Sequence, residues 1–502
     1  MMRQGSLSLP GASRLPAVSV TAVGVVLALL AIGVSRVSVL GFGVLALLLL
    51  AVIAYASIRW PRAVLVLVAL SAILDRYVVA GLLPASYGVA THITSETLLG
   101  IVGLVLAAKA LREERFFPAL RHPATAFLLA FVVLAAISTL VNRAPIAQAA
   151  AGMIFTVDAV ALFYLARMVG FDLRQAVVAV SALLAILLVA SVLAVLQALL
   201  DPNFLGLNSL IGRFGEPYRL ASIFGDPNVF AALLSASLPF AISAAVRAPT
   251  PRQRWFAAPL VLLLSVALWL TFSRGGWLGM LFGFTVAGLI LDRRAWLVGI
   301  AALVVAFGIV SVMPRNLAVA KSSHKAQNPI TSTQERIGTV GRGVDLRTLF
   351  ILNGLPILAD HPLVGVGPGM YGGAAADIFG TPVYADYGTK QLLKGDQKTV
   401  DNFWLHLFVE FGVLGGLAFV GMLLTIGVPL LRRAGQGMGW RRVVLFGIVA
   451  ASLALIANSA TTMLLEANSV AYVCWFLLGL GSIQAASPRS ELPASQDLPE
   501  RP

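Results

Sequence analysis

Residues 361–371 read HPLVGVGPGMY, and residues 401–416 read DNFWLHLFVEFGVLGG. The first is a glycine-rich turn late in a long polar stretch. The second is a polar Asp-Asn pair opening an apolar helix. Between them and back to Pro314 there is no apolar run of the roughly 20 residues that a helix needs to cross a bilayer. Before and after this stretch such runs recur. Loops beyond about 15 residues are uncommon and often functional. The stretch therefore reads as the working part, and the apolar helices as its scaffold.

Composition agrees. The chain is 59% hydrophobic and 12% charged, with a mean hydropathy of +0.91. Soluble domains carry about 25% charged residues. The apolar runs are continuous, not alternating, which favours helices over barrel strands. The expected fold is all-α: a polytopic integral membrane protein of about 12–14 transmembrane helices, GT-C-like, with one long external loop carrying short helices. Residues 1–16 read as a cytoplasmic tail and 17–313 as the first eleven spans, the first at 17–34 and the fifth to eleventh at 123–141, 148–168, 174–199, 227–246, 256–271, 275–291 and 296–312. Residues 314–401 read as the external, periplasmic loop, 402–485 as the last three spans (402–431, 441–463 and 467–485), and 486–502 as a disordered cytoplasmic tail. Orientation rests on Lys/Arg bias in short loops. The clusters Arg252/Arg254, Arg293/Arg294 and Arg432/Arg433/Arg441/Arg442 all fall on alternate loops, which puts both termini inside and the long loop outside. The net charge of +14 thus orients helices and needs no nucleic acid. Cys474, the single cysteine, excludes an intrachain disulfide and a Cys-rich metal site.

Outer-face and membrane-embedded ionisable groups are the informative ones, because inner arginines already have an orienting task. Arg274 lies in TFSRGGWLG (271–279) between two apolar spans. Its guanidinium suits phosphate oxygens; the structural alternative is an arginine that snorkels and ends a helix. Arg213 and Arg219 share the segment GRFGEPYRLASIFGDPN (212–228). There Asp226 reads as an N-cap and Pro227 as the first turn of a helix whose N-terminus, with Asn228, is a weak anion site. Arg347 lies on a segment whose Leu346, Leu349, Phe350, Leu352 and Ile357 can lie on a membrane surface, with Pro356 kinking or ending it. Gly367 is central to the tight turn. Asp401 reads as an N-cap or as a carboxylate able to take a proton from a hydroxyl. Asn402 follows it, and Glu410 comes four residues after His406, close enough to pair on a helix. Asp158 and Glu466 are further ionisable residues in apolar surroundings. No histidine spacing indicates a metal, and no cofactor is expected.

Four stretches in order resemble the O-antigen ligase and O-antigen polymerase superfamily of bacterial envelope glycan assembly. They are RLASIFGDPN (219–228), TFSRGG (271–276), Arg347 followed by HPLVGVGPG (361–369), and DNFWL (401–405) with VEFGVLGG (409–416). The resemblance implies an inverting, metal-independent glycosyltransferase in the bacterial cytoplasmic membrane. The donor would be a glycan on undecaprenyl diphosphate and the acceptor a glycan or lipid hydroxyl, with membrane lipids around the donor's tail. Arg219 and Arg274 would bind the diphosphate and Asp401 would act as base. Arg213, Arg347, Asn228, Asn402, His406, Glu410 and Gly367 would line the substrate site. Ligases of the family usually carry histidine where this chain has Asp401. A carboxylate is a weaker base than imidazole near neutral pH, so the departure leans towards a polymerase or a ligase for another glycan, with His406 as the alternative imidazole. A transporter or flippase of lipid-linked glycans is the alternative from another class.

Overall fold

The computed structural model describes residues 39–82, 94–200, 219–313, 346–388 and 399–486. Among these residues there are helices and turns and no strand. The expected first span at 17–34, Arg213 and the polar run 314–345 lie outside the described residues. Nine described helices are long and apolar enough to cross a membrane, and a bent pair, Ile146–Val157 with Val160–Val169, makes up to ten. The chain is an all-α, multi-pass membrane protein.

The bundle is organised around Pro227–Arg247, whose membrane-crossing stretch is 89% buried, against 22% for the peripheral Pro123–Val141. It packs on Gly439–Asn458, Pro251–Leu270 and Arg274–Leu291. Small residues allow this closeness: Gly279 and Gly283 lie directly on the Ala454–Asn458 backbone, and Gly276 on Ala231. Asp226 caps the central helix through the Asn228 N–H (2.7 Å), with Pro227 in the first turn, as the sequence indicates.

At the opposite end of these helices, Asp292 takes two hydrogen bonds from Arg247 (2.6 and 2.8 Å) and lies 3.3 Å from Arg442. It also caps Arg293–Val312 through the Ala295 N–H. Burial pushes its carboxyl up, but the Arg247 hydrogen bonds, the Ala295 N–H and the charges of Arg247 and Arg442 outweigh that and hold it below the usual carboxylate range. A carboxyl lowered in this way contributes stability above its unfolded value and loses it as pH falls through the folded one. Asp292→Ala is expected to cost about 2 kcal/mol, a buried-pair loss discounted for the partly exposed Arg247. Thermal melts in detergent should show this deficit down to about pH 4, the ordinary aspartate range, and see it vanish in stronger acid. An equal deficit at all pH would refute the charge account.

Two spans expected to be continuous are broken. The one expected at 148–168 bends by 52° at Asp158. Asp158 there accepts from the Ala159 N–H (2.6 Å) and the Tyr472 hydroxyl (2.9 Å), so it has the partners that the sequence did not reveal. The span expected at 402–431 runs Phe403–Ala434 and breaks at Gly412 (φ 66°, ψ −177°).

The described part of the long loop folds onto these broken spans. Helix Leu346–Asp360 runs through Pro356, which neither ends it nor stops it short of Asp360. Phe350 and Ile357 are buried rather than facing lipid. They form a small core with Tyr371, Tyr384, Val400 and Val409. Ile351, Leu352 and Leu355 remain exposed on the outer face of that helix.

Candidate functional site

Arg219, Asn228 and the turn before Arg274 come together. Asn228 Oδ1 accepts from Arg219 Nη2 (2.6 Å) and from Ser273 Oγ (2.9 Å). Arg219 Nε also donates to the Thr271 carbonyl (3.3 Å). Ser273 is the N-cap of Arg274–Leu291, so Arg274 occupies the first helical position. Two helix N-termini and the Arg219 guanidinium thus meet, with Arg274 at the first position of one of the helices, a setting that favours anions. The backbone is strained there. Ser222 (φ 51°) and Phe272 (φ 52°), one in each segment, both take the left-handed conformation that β-carbon-bearing residues seldom adopt.

Asp401 and Asn402 adjoin this cluster through the turn after Gly439–Asn458. Gly275 faces Asn458 and Thr461, and the neighbouring Ser459 carbonyl accepts from the Phe403 N–H (2.9 Å). The cap of the Phe403 helix is Asn402, not Asp401. Asn402 is extended, and its side-chain oxygen accepts from the Leu405 N–H (3.0 Å). Asp401 lies one residue outside the helix and is half-buried.

Glu410, His406 and Gly367 form a second cluster, and its geometry is that of a latch. The break at Gly412 frees carbonyls and amides of the helix, and the glycine-rich turn takes them up. Val366 and Gly367 donate to the carbonyls of Val409 and Glu410 (both 3.0 Å). Val413 and Leu414 donate to those of Pro362 and Leu363 (2.8 and 3.2 Å). The Glu410 carboxylate, 0% exposed, accepts from the amides of Gly369 and Tyr371 (both 2.7 Å). His406 Nδ1 lies 2.6 Å from the Tyr371 carbonyl. A carbonyl only accepts, so Nδ1 carries the hydrogen. Burial pushes the phenols of Tyr371 and Tyr384 well above their usual range. They serve as neutral partners, to the Phe350 carbonyl and the Gly372 N–H (both 2.8 Å).

The turn's other side is gripped by residues that the sequence did not single out. Gln148 donates from Nε2 to the carbonyls of Gly369 and Gly380 (both 2.7 Å), and Asn142 Nδ2 to that of Gly365 (2.9 Å). Gly152 lies against Gly369, where a β-carbon would fall 2.3 Å from its nitrogen. Gln148 and Gly152 sit on, and Asn142 just after, generic apolar helices more than two hundred positions away, where a buried Gln and a half-buried Asn are the only marks. Arg347 lies on the first turn of Leu346–Asp360.

Residues 259–420 match the family model described as O-antigen ligase. That part of the chain is thus similar to the O-antigen ligase superfamily, which supports a role in ligating or polymerising glycans at a membrane. The matched stretch takes in Arg274, the glycine-rich turn, Asp401 and the latch, whereas Arg219 and Asn228 precede it and join it through the hydrogen bonds above. No curated protein matches the chain.

Proposed function

We propose that the chain is an inverting glycosyltransferase that moves a glycan from undecaprenyl diphosphate to a hydroxyl on the outer face of the bacterial cytoplasmic membrane. The supporting observation is the junction of Arg219, Asn228, Ser273 and Arg274 at two helix N-termini, beside Asp401. A diphosphate bound there has its developing charge met by preorganised donors, which is a large term in catalysis of this kind. The acceptor oxygen forms a bond to the anomeric carbon from the face opposite the leaving group. The bond from that carbon to the diphosphate oxygen breaks, and its electron pair stays on undecaprenyl diphosphate. The acceptor's proton passes to Asp401 and then to water. Arg213 and Arg347 are assigned to the glycan or phosphate beyond this centre. Asn402, His406, Glu410 and Gly367 are assigned to holding the walls of the site in place. Both termini are assigned to the cytoplasm.

The test is reconstitution with an undecaprenyl-diphosphate oligosaccharide, with products resolved on a gel. A ladder of longer lipid-linked glycans identifies a polymerase. Transfer to an added lipid or glycan without a ladder identifies a ligase. Absence of both, in membranes where the donor is intact and the protein folded, rejects the proposal. Asp401→Asn in the same assay should lower single-turnover transfer by roughly 10²- to 10⁴-fold, the usual worth of a general base, with donor affinity unchanged. An unchanged rate would remove Asp401 from the reaction.

A further inference from the structure

Gly372 is held from both sides. Its N–H donates to the Tyr384 hydroxyl (2.8 Å), and its carbonyl accepts from the Val400 N–H (2.9 Å). Val400 immediately precedes Asp401. The Val400 carbonyl accepts in turn from the Asn402 N–H (2.8 Å), and the Phe403 N–H is fixed on the Ser459 carbonyl (2.9 Å). The backbone that carries Asp401 is therefore tied to Gly372 in the loop and to Ser459 in the turn after Gly439–Asn458.

The tie at Gly372 is close. Gly372 takes the left-handed conformation (φ 76°), and a β-carbon there would fall 2.6 Å from Val400 Cγ2. Glycine has more backbone freedom than any other residue, so its orientation has to be set by what bonds it. Glu410 holds the amides of Gly369 and Tyr371, and Glu466 holds that of Ala374. Tyr384 holds the amide of the residue whose carbonyl faces the Asp401 segment. Tyr384 is itself well fixed. It is buried, its ring stands edge-on to Tyr371 at 6.0 Å, and its short helix, Val383–Asp386, is pinned to the turn by Thr381. Thr381 Oγ1 donates to the Met370 carbonyl (2.8 Å) and accepts from the Val383 N–H (3.2 Å). Loss of the Tyr384 hydroxyl would leave a buried N–H without this acceptor, and rotation at Gly372 would then carry Val400 with it. A general base works only within hydrogen-bond reach of its proton.

We infer that Tyr384 is a positioning residue for glycosyl transfer: through Gly372 and Val400 it sets where Asp401 stands. The inference rests on the assignment of Asp401 as base in the transfer proposal above. The test is single-turnover transfer from an undecaprenyl-diphosphate oligosaccharide by the full chain in lipid nanodiscs, with slow variants followed over hours. Tyr384→Phe should lower the rate roughly 10- to 100-fold, the cost of a displacement of about 1 Å, with the donor concentration for half-maximal rate unchanged. In an Asp401→Asn background the same change should have no further effect on rate, because there is no base left to misplace. Tyr371→Phe removes the neighbouring phenol's bond to the Phe350 carbonyl and reports on a softened core. Any rate effect it has should persist in the Asp401→Asn background. Val400→Ala trims the side chain against Gly372 and leaves the Tyr384 bond in place; it should behave as Tyr384→Phe does, and it decides the matter if Tyr384→Phe yields no folded protein. A parent rate in Tyr384→Phe, or an equal drop in both backgrounds, overturns the inference and leaves the transfer proposal standing. Transfer by Asp401→Asn at the parent rate removes the base on which the inference rests, and no transfer by the folded parent removes the transfer proposal itself.

Discussion

Arg274→Ala is expected to lower glycan transfer by about 10²- to 10³-fold, the range seen when one preorganised charge stabiliser is lost, with little change in melting temperature. The two halves of this expectation come from the same fact. Arg274 stands at the first position of its helix, where the partial positive charge of the helix N-terminus disfavours a cation by about 0.3–1 kcal/mol. Ser273 caps the helix without it. Arg274 therefore stands where local helix electrostatics opposes a cation, and an anion bound at this helix N-terminus relieves that opposition. Arg219→Ala should fall in the same range but also loosen Asn228, because Arg219 Nη2 holds that amide oxygen at 2.6 Å. Transfer and melting curves measured together decide the matter. Full activity in Arg274→Ala, or a melting loss of several degrees, would contradict the assignment.

Gly412→Ala is expected to prevent assembly of the native protein. The conformation at Gly412 (φ 66°, ψ −177°) lies in a region that is almost exclusive to glycine. A β-carbon there would also fall 2.4 Å from the carbonyl carbon and oxygen of Leu363. Leu363 cannot retreat cheaply, because its carbonyl accepts from the Leu414 N–H and its neighbour Pro362 accepts from Val413. Moving that backbone leaves the Val413 and Leu414 amides without acceptors, each buried unpaired polar group costing about 1–3 kcal/mol. The combined penalty exceeds about 4 kcal/mol, among the largest seen for single substitutions. Expression followed by size-exclusion chromatography should show little monodisperse protein. A normal yield with a normal melt would show that the half-helices are less tightly bound than their hydrogen bonds indicate.

Much of the architecture was legible because hydropathy is a direct record of where lipid lies. The spans from Pro123 onward fall close to their expected limits, and Asp226-Pro227 announced a helix start that the structure contains. The breaks were not legible. Gly412 sits in VEFGVLGG among other glycines, and nothing local shows that its carbonyl neighbours are satisfied by a turn far back in the chain. The same applies to Asp401 and Asn402: both residue types cap helices, and only backbone geometry assigns the cap to Asn402. The clustering of Arg219 with the turn before Arg274 was not legible either. The bonds that join them run to the Thr271 carbonyl and through Asn228, which in sequence is simply the residue after a capped proline. Asp158 and Glu466 lacked partners in the sequence because Tyr472 and Ala374 are distant from them in the chain.

The exchange of hydrogen bonds across the Gly412 break also sets an order of events during biosynthesis. The glycine-rich turn leaves the ribosome before the helix that it completes. The first half of Phe403–Ala434 has no intrahelical acceptors for the amides of Val413 and Leu414, and the turn supplies them. Completion of this span's hydrogen bonding therefore depends on the loop's turn being in place. A lesion in the turn should show itself as a topogenesis defect, with the C-terminal spans exposed to membrane quality control, before any loss of enzymatic rate can be measured.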